Sequence, residues 1–133
     1  MEVILLVGIA GCGKTTFCQK YISQHTRISL DDIPKHNRNT QDRLVEQALA
    51  EGKNIVIDDT NLTKKIRSRH ITLAQRFGAA IKAVYFDLPM QKIQIQNRRR
   101  DVSLESHIIF HMKKQLEPPS YDEGFDFIQI IRE

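Results

Sequence analysis

Short apolar segments alternate with longer amphipathic segments along this chain of 133 residues. Residues 3–7 are apolar at every position, which is typical of a strand buried on both faces of a parallel sheet. Further strands are predicted from short apolar stretches at residues 27–30, 54–57, 80–86 and 127–131. Helices are predicted between them, at residues 14–23, 40–50, 63–77, 89–100 and 103–116. The alternation predicts a three-layer α/β fold, in which a mainly parallel sheet of four to five strands is flanked by helices.

Several predicted helices have recognisable ends. Thr40 is expected to cap the helix over residues 40–50, and Gly52 is expected to end it. Ser103 is expected to cap the last helix, which Pro118 and Pro119 prevent from continuing. These signals place the helices between the strands, as successive strand–helix units require.

Composition narrows the class of protein. Apolar residues make up 41% of the chain and charged residues 27%, which is typical of a globular domain, so we predict one domain over residues 1–133. No apolar run is long enough to span a membrane, and no secretory signal is evident. Two cysteines, Cys12 and Cys18, cannot build a disulfide framework. We therefore expect a cytoplasmic protein without a membrane partner, and no obligate protein partner is evident.

A glycine-rich motif follows the first predicted strand. Residues 8–15 match the pattern G-x-x-x-x-G-K-[ST] at every fixed position, and the motif leads directly into a predicted helix. In this pattern backbone N–H groups surround a polyphosphate, the lysine reaches the β- and γ-phosphates, and the hydroxyl ligates Mg²⁺. The motif predicts that ATP and Mg²⁺ are cofactors, held by Gly8, Ile9, Ala10, Gly11, Cys12, Gly13, Lys14, Thr15 and Thr16.

Pairs of carboxylates follow the second and third predicted strands. Asp31 and Asp32 end one strand, and Asp58 and Asp59 end the next. Functional groups gather at the carboxyl ends of parallel strands, so these acids are expected near the bound phosphates. One carboxylate there can take the proton of an attacking hydroxyl, and another can hold Mg²⁺ together with Thr15. Either Asp58 or Asp59 could be this metal ligand, and we assign it to Asp58. Because no N-K-x-D tetrapeptide selects guanine, a small phosphotransferase is predicted rather than a GTPase.

Longer segments extend this pattern. Residues 57–63 read Ile-Asp-Asp-Thr-Asn-Leu-Thr, and residues 96–100 read Gln-Asn-Arg-Arg-Arg. Together with the glycine-rich motif, these segments resemble the kinase domain of the polynucleotide 5′-hydroxyl kinase family, of the bacteriophage type. The similarity continues through nearly the whole chain, at residues 29–33, 74–78, 84–89 and 123–128.

The resemblance implies a small P-loop kinase that transfers the γ-phosphoryl group of ATP to the 5′-hydroxyl of a DNA or RNA end. Asp31 matches the family's general base. Asp59, Thr60 and Asn61 match a signature near the acceptor. Arg100 matches an arginine of a short Arg-rich lid that closes on the phosphates, so Asp31, Lys14 and Arg100 are the expected catalytic residues.

One departure from the family pattern leaves the acceptor open. The family often has an arginine three residues after the catalytic aspartate, where this chain has Pro34. Lys35 or Arg38 could substitute for it in binding the acceptor. The alternatives are a kinase that acts on a nucleoside or another small alcohol, and an ATP-binding regulator that transfers no phosphate.

Other side chains allow two interpretations each. His107 and His111 share a helix face, which suits a surface pair or a metal site without a third ligand. His70 lies on an apolar stripe and is expected in the core or at its rim. Tyr121 and Phe125 could stack on a base or pack internally.

Basic residues and one cysteine are equally ambiguous from the sequence. The cluster of Lys64, Lys65, Arg67 and Arg69 could be a solvated helix face or an approach path for nucleic acid. Arg98 and Arg99 could belong to a charged helix end, a nucleic-acid patch or the lid. Cys12 could be a small packing residue or a thiol whose pKa is lowered by the helix N-terminus.

Overall fold

A computed structural model of the chain, which describes residues 1–100 and 103–133, contains a five-stranded sheet. The strands are β1 (Glu2–Val7), β2 (Thr26–Ile28), β3 (Ile55–Ile57), β4 (Ala80–Phe86) and β5 (Phe127–Ile131). Their order across the sheet is β2-β3-β1-β4-β5, and every neighbouring pair is parallel. The predicted α/β class and the parallel sheet are confirmed.

Five helices flank the sheet in the described residues: α1 (Lys14–Tyr21), α2 (Arg38–Ala50), α3 (Lys64–Arg76), α4 (Met90–Arg98) and α5 (Ser106–Gln115). Short 3₁₀ turns lie at Leu30–Asp32, Pro34–His36 and Tyr121–Glu123. One apolar cluster joins the sheet to α2 and α3, and a second joins it to α1, α4 and α5. The sheet is therefore the middle of three layers, as predicted. Within the described residues, no helix is long and apolar enough to cross a membrane.

The start of α2 differs from the prediction. The helix begins at Arg38 because the side chain of Asn37 caps it and accepts a hydrogen bond from the Thr40 amide at 3.1 Å. Thr40, the predicted cap, lies inside the first turn. Asparagine is as good a cap as threonine or better, so the earlier of the two residues starts the helix.

The start of α5 also differs. The helix begins at Ser106 rather than at the predicted cap Ser103. The reason is the backbone of Leu104, whose amide donates to the side chain of Asn97 at 3.0 Å while its carbonyl accepts from the same side chain at 2.6 Å. Both backbone groups are thereby held by α4, and the helix begins beyond them.

Strand order brings three chain segments together at one edge of the sheet. β3 lies between β1 and β2, with Ile57 paired to Leu5 on one side and to Ile28 on the other. Two backbone hydrogen bonds continue this alignment past the strands, from the Gly8 amide to the Thr60 carbonyl at 3.0 Å and from the Asp58 amide to the Ile28 carbonyl at 2.9 Å. The segments that follow β1, β2 and β3 therefore meet, and they carry the candidate site.

A buried ion pair joins α3 to the 3₁₀ turn near the C-terminus. Arg67 is fully buried, and its guanidinium donates two hydrogen bonds to the carboxylate of Glu123, at 2.8 and 3.0 Å. It also donates to the carbonyls of Asn61 and Leu62. Arg67 is thus a structural residue, and neither interpretation of the predicted basic cluster applies to it. Removing one member of such a pair typically costs about 3–5 kcal/mol, because the other charge stays buried.

Histidines are placed as the simpler interpretations predict. His70 is fully buried between α2 and α3, while His107 and His111 are exposed on α5. Among the described residues no group of three or more histidine, cysteine or acidic side chains is placed to hold a metal ion.

Burial lowers the pKa of His70 from 6.5 to about 4, opposed by the nearby charge of Asp42 and reinforced by those of Arg38 and Arg69. Between these two pH values the unfolded chain binds a proton that the folded chain does not, so folding stability decreases as the pH falls. We expect the free energy of unfolding to drop by roughly 3 kcal/mol on this account between pH 7 and pH 4.

Urea unfolding at several pH values measures this drop. Replacing His70 with leucine should remove the part of the slope of unfolding free energy against pH that is due to this histidine. Replacing the exposed His111 with leucine should leave that slope unchanged. An identical slope in wild type and His70→Leu would contradict the prediction.

Candidate active site

The glycine-rich segment forms a tight loop between β1 and α1. Gly11 has a φ of 86°, in the left-handed region, and a Cβ there would lie 3.2 Å from the Cβ of Asn97. A Cβ on Gly8 would lie 2.8 Å from the sulfur of Cys12. Gly13 precedes α1 without any side-chain cap, so the first backbone N–H groups of the helix are left for an anion. The loop therefore has the local geometry that a phosphate cradle requires.

Lys14 lies over the same loop. Its ammonium group donates hydrogen bonds to the carbonyls of Gly8 at 2.9 Å and Ile9 at 3.0 Å, and to the Cys12 sulfur at 3.6 Å. Burial raises the pKa of the Cys12 thiol, which outweighs the opposite effect of Lys14. The interpretation of Cys12 as a thiol of lowered pKa is therefore wrong, and the residue packs beneath Gly8 as a small apolar group.

The hydroxyl of Thr15 donates a hydrogen bond to an Asp58 carboxylate oxygen at 2.9 Å. The Asp58 side chain is buried, and the same oxygen accepts a hydrogen bond from Arg27 at 2.8 Å. A hydroxyl and a carboxylate are hard oxygen ligands, and Mg²⁺ in kinases uses one or two such side chains together with phosphate oxygens. The donor set of Thr15 and Asp58 thus fits a magnesium ion that a bound nucleotide helps to hold.

The neighbouring carboxylate, Asp59, faces the opposite direction. One of its oxygens accepts hydrogen bonds from the Leu30 amide at 2.8 Å and the Ser29 hydroxyl at 3.3 Å. The other accepts from the side-chain amide of Gln41 at 2.7 Å. Burial raises the pKa of Asp59, although these hydrogen bonds oppose the rise. Of the two adjacent acids, Asp58 therefore lies with the predicted metal ligand Thr15, and Asp59 lies with the turn that carries Asp31.

Asp31 is exposed on this turn and, unlike its exposed neighbour Asp32, lines the cleft. It lies on the 3₁₀ segment Leu30–Asp32, its side chain is 82% exposed, and its backbone amide donates to the Ser29 hydroxyl at 3.2 Å. The imidazole of His36 lies 3.9 Å from one of its carboxylate oxygens. His36 was not predicted as a site residue, because only the fold of the following turn brings it back towards Asp31.

The turn after Asp31 has an unusual backbone. Lys35 and His36 have positive φ values of 57° and 47°, although neither is a glycine. Such conformations are sparsely populated and tend to persist where the surrounding structure imposes them. The result is that His36 and Arg38 line the cleft beside Asp31, whereas Lys35 is exposed and does not line it.

Thr60 and Asn61 also differ in whether they line the cleft. Thr60 lines the cleft, while Asn61 is buried and does not. The Asn61 amide donates to the carbonyls of Leu6 at 2.8 Å and Ile57 at 3.3 Å, and so ties the ends of β1 and β3 together. The expectation that Asn61 contacts the acceptor is therefore corrected, since its donor group is used within the fold.

The Arg-rich segment follows α4. Arg98, Arg99 and Arg100 are all exposed, and of these three Arg100 lines the cleft. The segment is closed at its base by the two hydrogen bonds between Asn97 and Leu104, and Asn97 packs directly on Gly11 of the phosphate loop. The base of the segment that carries the predicted lid arginine is thus in contact with the predicted phosphate loop.

These groups border one cleft of about 730 Å³. Its lining combines predicted and unpredicted side chains, and the polar ones include Lys14, Thr15, Thr16, Asp31, His36, Arg38, Asp58, Asp59, Thr60, Gln96 and Arg100. The cleft therefore contains cationic and hydroxyl side chains that can bind phosphates, together with the exposed carboxylate of Asp31, which can accept a proton.

A second cavity, of about 760 Å³, lies on the other side of the phosphate loop and shares Gly13, Thr16 and Gln96 with the first. Aromatic and basic side chains line it, among them Phe17, Tyr21, Phe86, Lys20 and Lys92. This cavity therefore offers aromatic side chains other than the predicted Tyr121 and Phe125. Phe125 is buried in the core, and the hydroxyl of the exposed Tyr121 accepts a hydrogen bond from the Ile128 amide.

Comparison with known proteins agrees with this geometry. A family model described as "AAA domain" (AAA_33) matches residues 3–119. A bifunctional polynucleotide phosphatase/kinase of Schizosaccharomyces pombe is 25% identical to the chain over 98% of its length, and the match covers 33% of the yeast protein. The chain thus spans about a third of this relative's length.

Solved structures show the same fold at low sequence identity. A gluconokinase from Sinorhizobium meliloti aligns with a TM-score of 0.74 at 15% identity, covering 98% of this chain and 82% of the other. A fungal RNA kinase aligns with a TM-score of 0.68 at 21% identity, covering 99% and 75%. These two structures show that the chain has the fold of P-loop kinases, and its match over residues 3–119 shows that it belongs to the AAA_33 family, described as "AAA domain".

Proposed function

We propose that the protein is an ATP- and Mg²⁺-dependent kinase that phosphorylates the 5′-hydroxyl of a DNA or RNA end. The observation that carries the proposal is the exposed carboxylate of Asp31, which lines the same cleft as Lys14 and the Thr15–Asp58 pair. A general base, a phosphate-binding lysine and a metal-binding pair are the parts that phosphoryl transfer needs.

In this mechanism Asp31 accepts the proton of the acceptor hydroxyl. The hydroxyl oxygen forms a bond to the γ-phosphorus of ATP, the bond from that phosphorus to the β–γ bridging oxygen breaks, and ADP leaves. Lys14 and Arg100 contact the phosphates and offset the negative charge that develops on them. Thr15 and Asp58 would hold Mg²⁺, which would supply further neutralisation of the negative charge when bound.

The acceptor would enter on the side of the cleft lined by His36 and Arg38. Arg38 is the better of the two predicted substitutes for the arginine that the family often has at the position of Pro34, since Lys35 does not line the cleft. A guanidinium can bind a phosphate through two parallel hydrogen bonds, so Arg38 is assigned to a phosphate of the nucleic-acid acceptor. The polynucleotide relatives add support for this class of acceptor.

A second candidate is a kinase that acts on a small alcohol. The structural match to a gluconokinase, together with Pro34 in place of the family's arginine, favours this alternative. The two candidates differ in the group that Arg38 would bind, because a simple polyol offers no phosphate. A regulator that binds ATP without transferring phosphate remains the third hypothesis, and loss of Asp31 separates it from both kinases.

We expect Asp31→Asn to lower kcat by about 10²–10⁴-fold while leaving ATP binding unchanged, because the amide cannot take the acceptor proton. Transfer of labelled γ-phosphate to 5′-hydroxyl oligonucleotides, 5′-phosphorylated oligonucleotides, nucleosides and polyols measures this. Asp122→Asn, which alters an exposed acid outside the cleft, is the control. Label on 5′-hydroxyl ends alone supports the proposal, and label on polyols alone supports the second candidate. A regulatory function that persists unchanged in Asp31→Asn supports the regulator.

We expect Arg38→Gln to raise the KM for a 5′-hydroxyl oligonucleotide roughly tenfold or more, because a charge-assisted phosphate contact is typically worth about 1.5–3 kcal/mol. The KM for ATP should stay within a factor of two. Steady-state kinetics with Lys35→Gln as the matched control checks the assignment, since Lys35 lies outside the cleft lining. Equal effects of the two substitutions on the oligonucleotide KM would remove Arg38 from the acceptor site.

A further inference from the structure

Gln41 is a buried polar residue that is not part of the cleft lining. It lies on α2, is fully buried, and donates a hydrogen bond from its side-chain nitrogen to an Asp59 oxygen at 2.7 Å. Its side-chain oxygen is also buried and has no hydrogen-bond partner among the described residues. A buried amide with one unsatisfied group costs stability, so the amide of Gln41 calls for an explanation beyond packing.

The hydrogen bond from Gln41 is the first of a connected series. Asp59 accepts from Gln41 with one oxygen, and with the other it accepts from the Leu30 amide at 2.8 Å and the Ser29 hydroxyl at 3.3 Å. The Ser29 hydroxyl in turn accepts from the Asp31 amide at 3.2 Å. These hydrogen bonds form a continuous chain from α2 to the backbone of Asp31.

We propose that Gln41 is a positioning residue that acts through Asp59 to hold the turn carrying Asp31 at its place in the cleft. The inference rests on the proposed role of Asp31 as the base and adds to it the group that keeps the base in position. A carboxylate can rotate about its last bond, and Gln41 fixes that rotation from the side of α2. The other oxygen is then directed at Leu30 and Ser29, which carry the turn.

Other interactions also restrain the turn, since Arg27 donates to the Asp32 carboxylate at 2.7 Å and the Ile33 amide donates to the Leu30 carbonyl at 3.0 Å, but both of these lie within residues 27–33. Asp31 and Asp32 are exposed, and the residues that follow the turn have the positive φ values of Lys35 and His36. Misplacing a catalytic group by about 1 Å can cost on the order of a hundredfold in rate. A hydrogen bond made by a residue outside the cleft can therefore affect turnover without touching either substrate.

The experiment compares Gln41→Met with wild type. Methionine is nearly the same size as glutamine and lacks both polar groups of the amide, so we expect the variant to fold. We expect kcat to fall about 10–100-fold, with the KM for ATP within a factor of two. Val45→Ala is the matched control, because Val45 is equally buried on α2 but makes no polar contact to Asp59. It should lower thermal stability and leave kcat within a factor of two.

The same substitution in an Asp31→Asn background separates positioning from a general structural effect. If Gln41 acts through Asp31, then Gln41→Met should change the residual activity of Asp31→Asn by less than a factor of two. An equal loss in both backgrounds, or no loss in wild type, would overturn the proposal.

Hydrogen exchange provides a readout that does not depend on the reaction. The amides of residues 29–33 should exchange at least tenfold faster in Gln41→Met than in wild type or Val45→Ala, because Leu30 and Asp31 lose a fixed acceptor. Unchanged protection of this segment would overturn the proposal even in an active enzyme. Faster exchange in a protein that labels no acceptor would instead leave the positioning role standing and count against the kinase assignment.

Discussion

The site depends on the alternation of side chains where β3 ends. Ile55 and Ile57 pack into the cluster beneath α2 and α3, and Val56 packs into the cluster beneath α1, α4 and α5. Successive side chains of an extended strand point to opposite faces of the sheet, and the alternation continues into the loop. Asp58 therefore meets Thr15 of α1, and Asp59 meets Gln41 of α2. Two like charges that are adjacent in sequence thereby lie on opposite faces of the sheet, Asp58 at the proposed metal site and Asp59 towards α2.

The alternation brings the two acids to different segments because β3 lies between β1 and β2. The phosphate loop follows β1 and the turn of Asp31 follows β2, so each neighbour of β3 brings one functional segment to one of the two acids. Asn61 then ties the ends of β1 and β3 through backbone carbonyls, and Arg67 ties the same loop to Glu123. Buried hydrogen bonds of this kind hold the segments rigidly around the cleft.

The Arg-rich segment is connected to the phosphate loop by a separate contact. Asn97 packs on Gly11, where a larger residue would meet both a positive φ and the Asn97 Cβ, and the same asparagine closes the base of the segment through Leu104. Arg100 is therefore carried by an element that rests on the loop itself. This arrangement places a cation at the cleft.

The parallel α/β fold, the phosphate loop and the acids Asp31, Asp58 and Asp59 can be predicted from the sequence, because periodicity, turn residues and motif spacing are local properties of the chain. The resemblance to a kinase family also indicated Arg100, and either Lys35 or Arg38. Folding in three dimensions was needed to show that Asn61 and Arg67 are buried structural residues, that His36 lines the cleft and that Gln41 donates to Asp59. These roles arise from contacts between elements distant in sequence, and a polar side chain carries no local signal of whether its partner is solvent, substrate or another buried group.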